Sequence, residues 1–337
     1  MKPIIPFALL GALLAVGAAN GAAVTTPVGY ETLSIDPGFN FVAPRLHPAT
    51  TIAGNLDAVT ATTAQDTAAG LDFVATLGVS GASGTYLLEI LDGSGVIQEV
   101  TTWTTDTLDV ADLSGVVAPV DYSIRPAATI ASMFGAANES GLAAGGGSAA
   151  GADQVWLWNG SGWTKYYYDD FAPPTFASGG WVNVDTATAV DPAAITLVYA
   201  DALAIVSTAG QDVTVSGEVK TGATELSLAS GFNFVGSVAP VGATISTAFG
   251  VANESGLTAG GGSAAGADQV WIFNGSGWDK FYYDDFAPPT FASGGWVNVD
   301  TATAVDSTLV TLPSGYAIVA ATPKSLTQGV PGFYDTL

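Results

Sequence analysis

Short β-branched and aromatic runs follow one another along the chain, separated by Gly, Pro, Asn and Asp clusters about every 8–12 residues. No segment keeps a helical apolar period over three turns, so the pattern predicts an all-β protein of sandwich or barrel type with Greek-key or meander connections. The exceptions are ATIASMFG (128–135) and ATISTAFG (243–250), whose spacing allows one short helix or turn ahead of a Gly-rich loop.

The most distinctive text is QVWLWNGSGWTKYYYDD (154–170), which returns as QVWIFNGSGWDKFYYDD (269–285). Asn-Gly between two aromatic runs predicts a hairpin, because both residues tolerate the positive φ of a tight turn. Strand alternation puts Trp156 and Trp158 on one face and Val155 and Leu157 on the other. On the return strand Trp163, Lys165 and Tyr167 face one way and Thr164, Tyr166 and Tyr168 the other.

Repetition sets the domain organisation. Residues 134–191 and 249–306 align without a gap at an offset of 115 and differ at 6 of 58 positions. Among the differences, Trp158 becomes Phe273, Tyr166 becomes Phe281, Leu157 becomes Ile272 and Thr164 becomes Asp279. A second match, GFNFV at 38–42 and 231–235, has an offset of 193, so the first copy carries 193 − 115 = 78 extra residues. We therefore expect two tandem β-sandwich or barrel-like repeats, A (24–45 plus 125–215) and B (216–320), with a small β-subdomain at 46–124 inserted in A. In the insert, TYLLEI (85–90) and VIQEVTTW (96–103) flank Asp92-Gly93-Ser94-Gly95 and read as a hairpin, with Phe73, Tyr86, Ile90, Val96 and Trp103 as a minor core.

Lys2, an uncharged run from Ile4 to Ala19 and the small residues Gly21-Ala22-Ala23 predict a cleaved export signal over 1–23 and hence an extracellular or cell-surface protein. No later stretch is long and apolar enough to span a membrane as a helix.

Composition narrows the chemistry. The 337 residues include 7 basic and 30 acidic side chains, a formal charge of −23 that becomes −24 once Lys2 is removed. Such a surface repels phosphate backbones and argues against nucleic acid as a partner. With no Cys, disulfides, thiolate metal sites and cysteine nucleophiles are excluded, and one histidine, His47, leaves little room for a zinc site. His47 has no nucleophile-elbow text to complete a triad, and the Gly-rich AAGGGSAAG (143–151) lacks the Gly-Lys-Ser/Thr of a phosphate loop. The chain is read as a non-enzyme.

Three sets of residues remain as candidates. Trp156, Trp163 and Tyr167, with Trp271, Trp278 and Tyr282, are either cross-strand core pairs or a stacking platform for extracellular polysaccharide. Asp169-Asp170 and Asp284-Asp285 stand at strand-to-loop junctions, where carboxylates and loop carbonyls could hold Ca²⁺, the one cofactor considered; the alternative is turn-forming Asp on a solvated surface. Neighbouring strand residues point to opposite faces, which suits the pair poorly for two-carboxylate catalysis. The tail, 321–337, echoes the opening strand Pro27-Val28-Gly29-Tyr30-Glu31-Thr32-Leu33 in Val330-Pro331-Gly332-Phe333-Tyr334-Asp335-Thr336-Leu337. Phe333, Tyr334 and Leu337 are thus candidates for self-assembly by adding a strand to a neighbouring copy, against the alternative that the tail covers a free edge of its own chain.

The ordered set TTPVGYETLSI, YSIRPAATIASMFG, ADQVWLWNGSGWTKYYYDD, GGWVNV, VTVSGEVKTG and SGFNFVG resembles a family of secreted, paralogous, repeat-containing proteins of verrucomicrobial bacteria. The resemblance covers most of both repeats. It implies export and repeat organisation, with no activity, catalytic residue or cofactor attached. Together these readings predict an exported structural or matrix protein, with carbohydrate binding by the aromatic hairpins as the alternative.

Overall fold

In the computed structural model, residues 27–81, 85–171, 179–197, 199–286 and 294–337 are described, and the expected export signal lies outside them. The fold is all-β as expected, with helices only at Phe73–Leu77, Ile130–Phe134 and Ile245–Phe249 and a terminal 3₁₀ turn at Gly332–Thr336 among the described residues. The two later helices lie where the sequence allowed them. Each opens with a capping box, Thr129 with Ser132 and Thr244 with Thr247.

Two six-stranded antiparallel sheets carry the aromatic hairpins. The first runs Thr188–Ala189, Gly180–Asn183, Trp163–Asp169, Gln154–Trp158, Leu203–Ser207, Gly38–Val42. The second runs Thr303–Ala304, Gly295–Asn298, Trp278–Asp284, Gln269–Phe273, Gly315–Ala320, Gly231–Gly236, the same order with matching register: Val155 opposes Tyr166 as Val270 opposes Phe281. One face of each sheet is a core, Val155, Trp181 and Ile205 over Phe134 in the first, Val270, Trp296 and Ile318 over Phe249 in the second. Each buried indole is satisfied: Trp181 Nε1 donates to the Gly135 carbonyl at 3.0 Å and Trp296 Nε1 to Gly250 at 3.1 Å.

The insert forms its own seven-stranded sheet, from Ile52–Leu56 through Val120–Pro126, Tyr86–Ile90, Ile97–Trp103, Thr107–Val110 and Thr63–Gln65 to Ala58–Val59. Its two end strands are consecutive in the chain, so the sheet nearly closes on a core that includes Phe73, Ile90, Val96, Trp103 and Tyr122. The expected hairpin pairs Tyr86 with Val100. The insert is tied to the body by buried charge: Arg125 reaches Glu89 at 2.8 Å and Glu218 at 3.1 Å, and Lys220 also pairs with Glu89.

Three features differ from the sequence reading. Leu46–His47 pairs with Gln211–Val219 in the body, and the insert's own strands begin only at Ile52. Gln211–Val219, whose second half was expected to open repeat B, pairs along Val28–Ile35 and closes the first unit, while Thr224–Leu228 opens the second. The third concerns the tail. Lys324–Gln328 pairs antiparallel with Thr224–Leu228 of its own chain, and the last residues turn into a 3₁₀ helix instead of a further strand. Tyr334 is 3% exposed and its hydroxyl accepts from Val241 N at 3.0 Å, so of the three assembly candidates only Phe333 and Leu337 face solvent. The physical reason is that this pairing covers an edge of the second unit within its own chain, the alternative that the sequence left open.

Candidate functional site

The outer faces of the two sheets meet in a layer of ten rings: Phe39, Phe41, Trp156, Trp158 and Trp163 from the first unit, Phe232, Phe234, Trp271, Phe273 and Trp278 from the second. Phe41 and Phe234 stack at 5.3 Å and 6° on a local two-fold axis. Every other ring contact across the junction has a counterpart: Trp163 on Phe234 at 4.7 Å mirrors Trp278 on Phe41 at 5.0 Å, and Trp158 on Phe234 at 5.4 Å mirrors Phe273 on Phe41 at 5.5 Å. Main chains come equally close. A Cβ on Gly315 would lie 2.7 Å from the Phe41 carbonyl carbon, and Ala202 N donates to the Phe234 carbonyl at 3.0 Å.

The candidate aromatics therefore divide. Trp156, Trp163, Trp271 and Trp278 are half-buried and lean on other rings at 47° or more, so they tile and do not form one flat platform. Tyr167 and Tyr282 are buried under the Gly-rich loops. A Cβ on Gly145 would stand 2.6 Å from the Tyr167 ring, so only glycine lets the loop lie flat there. Phe39, Phe41, Phe232 and Phe234 were not singled out from sequence. Their signal was the repeated GFNFV, whose alternation puts both phenylalanines on one face.

The carboxylate pairs separate as alternation requires. Asp169 is buried and accepts from Gly147 N at 2.9 Å, Phe171 N at 3.0 Å and the Tyr167 hydroxyl at 3.3 Å, while Asp170 is exposed. Asp284 accepts in the same way from Gly262 N, Phe286 N and Tyr282, with Asp285 exposed. Each buried carboxylate holds a loop through N–H and O–H donors. Among the described residues no group of three acidic or histidine side chains converges.

The described cations are almost all engaged internally. Arg45 pairs with Glu31 and Lys324 with Asp268 at 2.5 Å, in addition to the Arg125 and Lys220 network. Lys165 lies 4.6 Å over the Trp156 ring, and Lys280 lies 4.9 Å over Trp271 and reaches Asp300 at 3.3 Å. His47 is 1% exposed, stacks on Tyr199 at 3.7 Å and has no hydrogen-bond partner at either nitrogen. Burial, with Arg125 and Lys220 nearby, holds its pKa well below the ordinary histidine value.

Beside the aromatic layer a cavity of about 380 Å³ opens at the end of the first sheet, lined by Leu157, Trp158, Asn159, Thr164, Tyr166 and Asp201 among others. Trp158 Nε1 is buried without an acceptor. Asp201 also borders two neighbouring clefts against the insert and the second unit, so it is surrounded by protein yet reached by water. Desolvation by the surrounding protein, with the Glu99 charge, raises its pKa from the ordinary aspartate value. Nothing in the local text of Asp201 marked it.

The chain is thus an all-β protein in which two like sheets are clasped by a shared aromatic layer. Comparison with known proteins adds nothing to this class: no family model, no curated protein and no solved structure matches the chain.

Proposed function

We propose that the protein is an exported, non-catalytic structural component of the cell surface or extracellular matrix. The observation that carries the reading is the clasp. Ten aromatic rings and a set of buried ion pairs are spent on locking two near-identical units and an insert together. The export-type N-terminus and the resemblance to secreted verrucomicrobial paralogues support the location. A two-fold contact uses the same patch on both sides and closes on itself, so the clasp leaves no copy of itself free to propagate. Growth of an assembly would use other surfaces, and the long edge strand Val28–Ile35, with Val28 76% and Tyr30 81% exposed, is one available among the described strands. A chain carrying −24 repels its own copies until counter-ions screen it.

Electron microscopy of the mature protein at micromolar concentration, with millimolar Ca²⁺ and with chelator, tests this. Filaments or sheets in calcium are expected. Dispersed particles in both conditions would overturn the assembly reading.

A further inference from the structure

The two copies are a controlled comparison made by the chain itself. Of their six differences, two, Ala136 for Val251 and Ala143 for Thr258, lie away from the cavity beside the aromatic layer. The other four, at Leu157, Trp158, Thr164 and Tyr166, all line it. Within 134–191 and 249–306 the other 52 positions are identical, so the divergence of this stretch is concentrated beside one site.

Trp158 places a larger ring where Phe273 stands, packed on Trp163 and Phe234 at the rim of the cavity, with its Nε1 closed off from solvent. Tyr166 adds a phenol where Phe281 has a bare ring. In the second copy Asp279 accepts from Asn274 Nδ2 at 3.1 Å; Thr164 in its place leaves the Asn159 amide without that acceptor and adds a hydroxyl. Sheet register, Trp156 opposite Ala204 and Trp271 opposite Ala317, equates Asp201 with Ser314, so the first copy also gains a carboxylate acceptor. The result is a cavity with an aromatic wall, several neutral polar groups, one carboxylate and no cation among its lining residues. At about 380 Å³ it falls within the usual range of small-ligand sites.

We propose that this cavity binds an uncharged, hydroxyl-rich ligand of one or two sugar rings, with the Tyr166 ring as a wall, Asn159 and Thr164 as donors and Asp201 accepting from its hydroxyls. An apolar ligand would leave these polar groups unpaired, and an anion would meet Asp201 without a cation to offset it. The site belongs to the first unit alone and stands independently of the assembly reading.

The test grafts the second copy's residues onto the first: Leu157→Ile, Trp158→Phe, Thr164→Asp and Tyr166→Phe together. The graft is already compatible with the fold, because the same sheet in the second unit carries it, and circular dichroism would verify that. Calorimetry and tryptophan fluorescence would be read with glucose, galactose, mannose, xylose, N-acetylglucosamine, cellobiose and maltose, and with glucuronate as the charged control. Saturable binding of at least one neutral sugar, at least tenfold weaker in the graft and in Asp201→Asn, is expected. No binding across the panel, equal binding by the graft, or glucuronate binding as well as the neutral sugars would each overturn the proposal. Because electron microscopy is read without sugar, either conclusion can fail alone.

Discussion

Phe41 and Phe234 lie face to face, 5.3 Å apart and 6° from parallel, at the one point where the two units touch their own equivalents. Each ring is also met edge-on by the other unit's hairpin, so the pair is the keystone of the clasp. Truncating one half-buried ring removes contact area and opens a gap at the axis. Phe41→Ala should cost about 2–3 kcal/mol in urea unfolding, toward the low end of buried Phe truncations. Because the rings share one contact, Phe41→Ala with Phe234→Ala should cost less than the sum of the singles by about 1 kcal/mol. Strict additivity would mean that the stack contributes nothing of its own.

Asp169 is an acceptor for the Gly-rich loop. Asp169→Ala removes the Oδ1 that accepts from both Gly147 N and Phe171 N. About 1–3 kcal/mol of stability should be lost, with faster amide exchange over residues 143–151. The effect should be the same in calcium and in chelator; a loss seen only in calcium would restore Asp169 as an ion ligand.

The C-terminal segment is part of the second unit. Deleting residues 322–337 removes the partner strand of Thr224–Leu228, the Lys324–Asp268 ion pair and Gln328, which is 1% exposed and donates to the Tyr316 hydroxyl at 2.7 Å. The truncated protein should lose near-ultraviolet ellipticity or aggregate on expression. A truncation that melts like the full chain would show that this pairing carries no stability.

His47 should make stability fall with acidification. Its folded pKa lies well below 6.5, so the unfolded chain takes up a proton that the folded chain refuses. The stability tied to the neutral ring is complete above pH 6.5 and declines as pH falls below it, by at most about 1.4 kcal/mol per pH unit. His47→Phe should match or exceed the wild type at pH 7.5, since two unpartnered ring nitrogens are removed, and the gap should widen at pH 5.5 in thermal melts. Parallel melting curves for the two proteins over that interval would contradict a buried neutral imidazole.

The all-β class, the Asn159-Gly160 hairpin, the two capped helices and the insert's hairpin were legible in the sequence because each depends on neighbours within a few residues. Alternation also placed Trp156 and Trp163 on one face, and the duplication implied like sheets. What lies across that face could not be read there, since a period of two assigns a residue to a side of a strand without naming its partner. Only the tertiary structure decided that Trp163 reaches Phe234, that Asp169 turns to its loop and that Lys324–Gln328 returns to a strand about a hundred residues earlier. Those are long-range choices, settled by burial and by the pairing of every available backbone group across the whole chain.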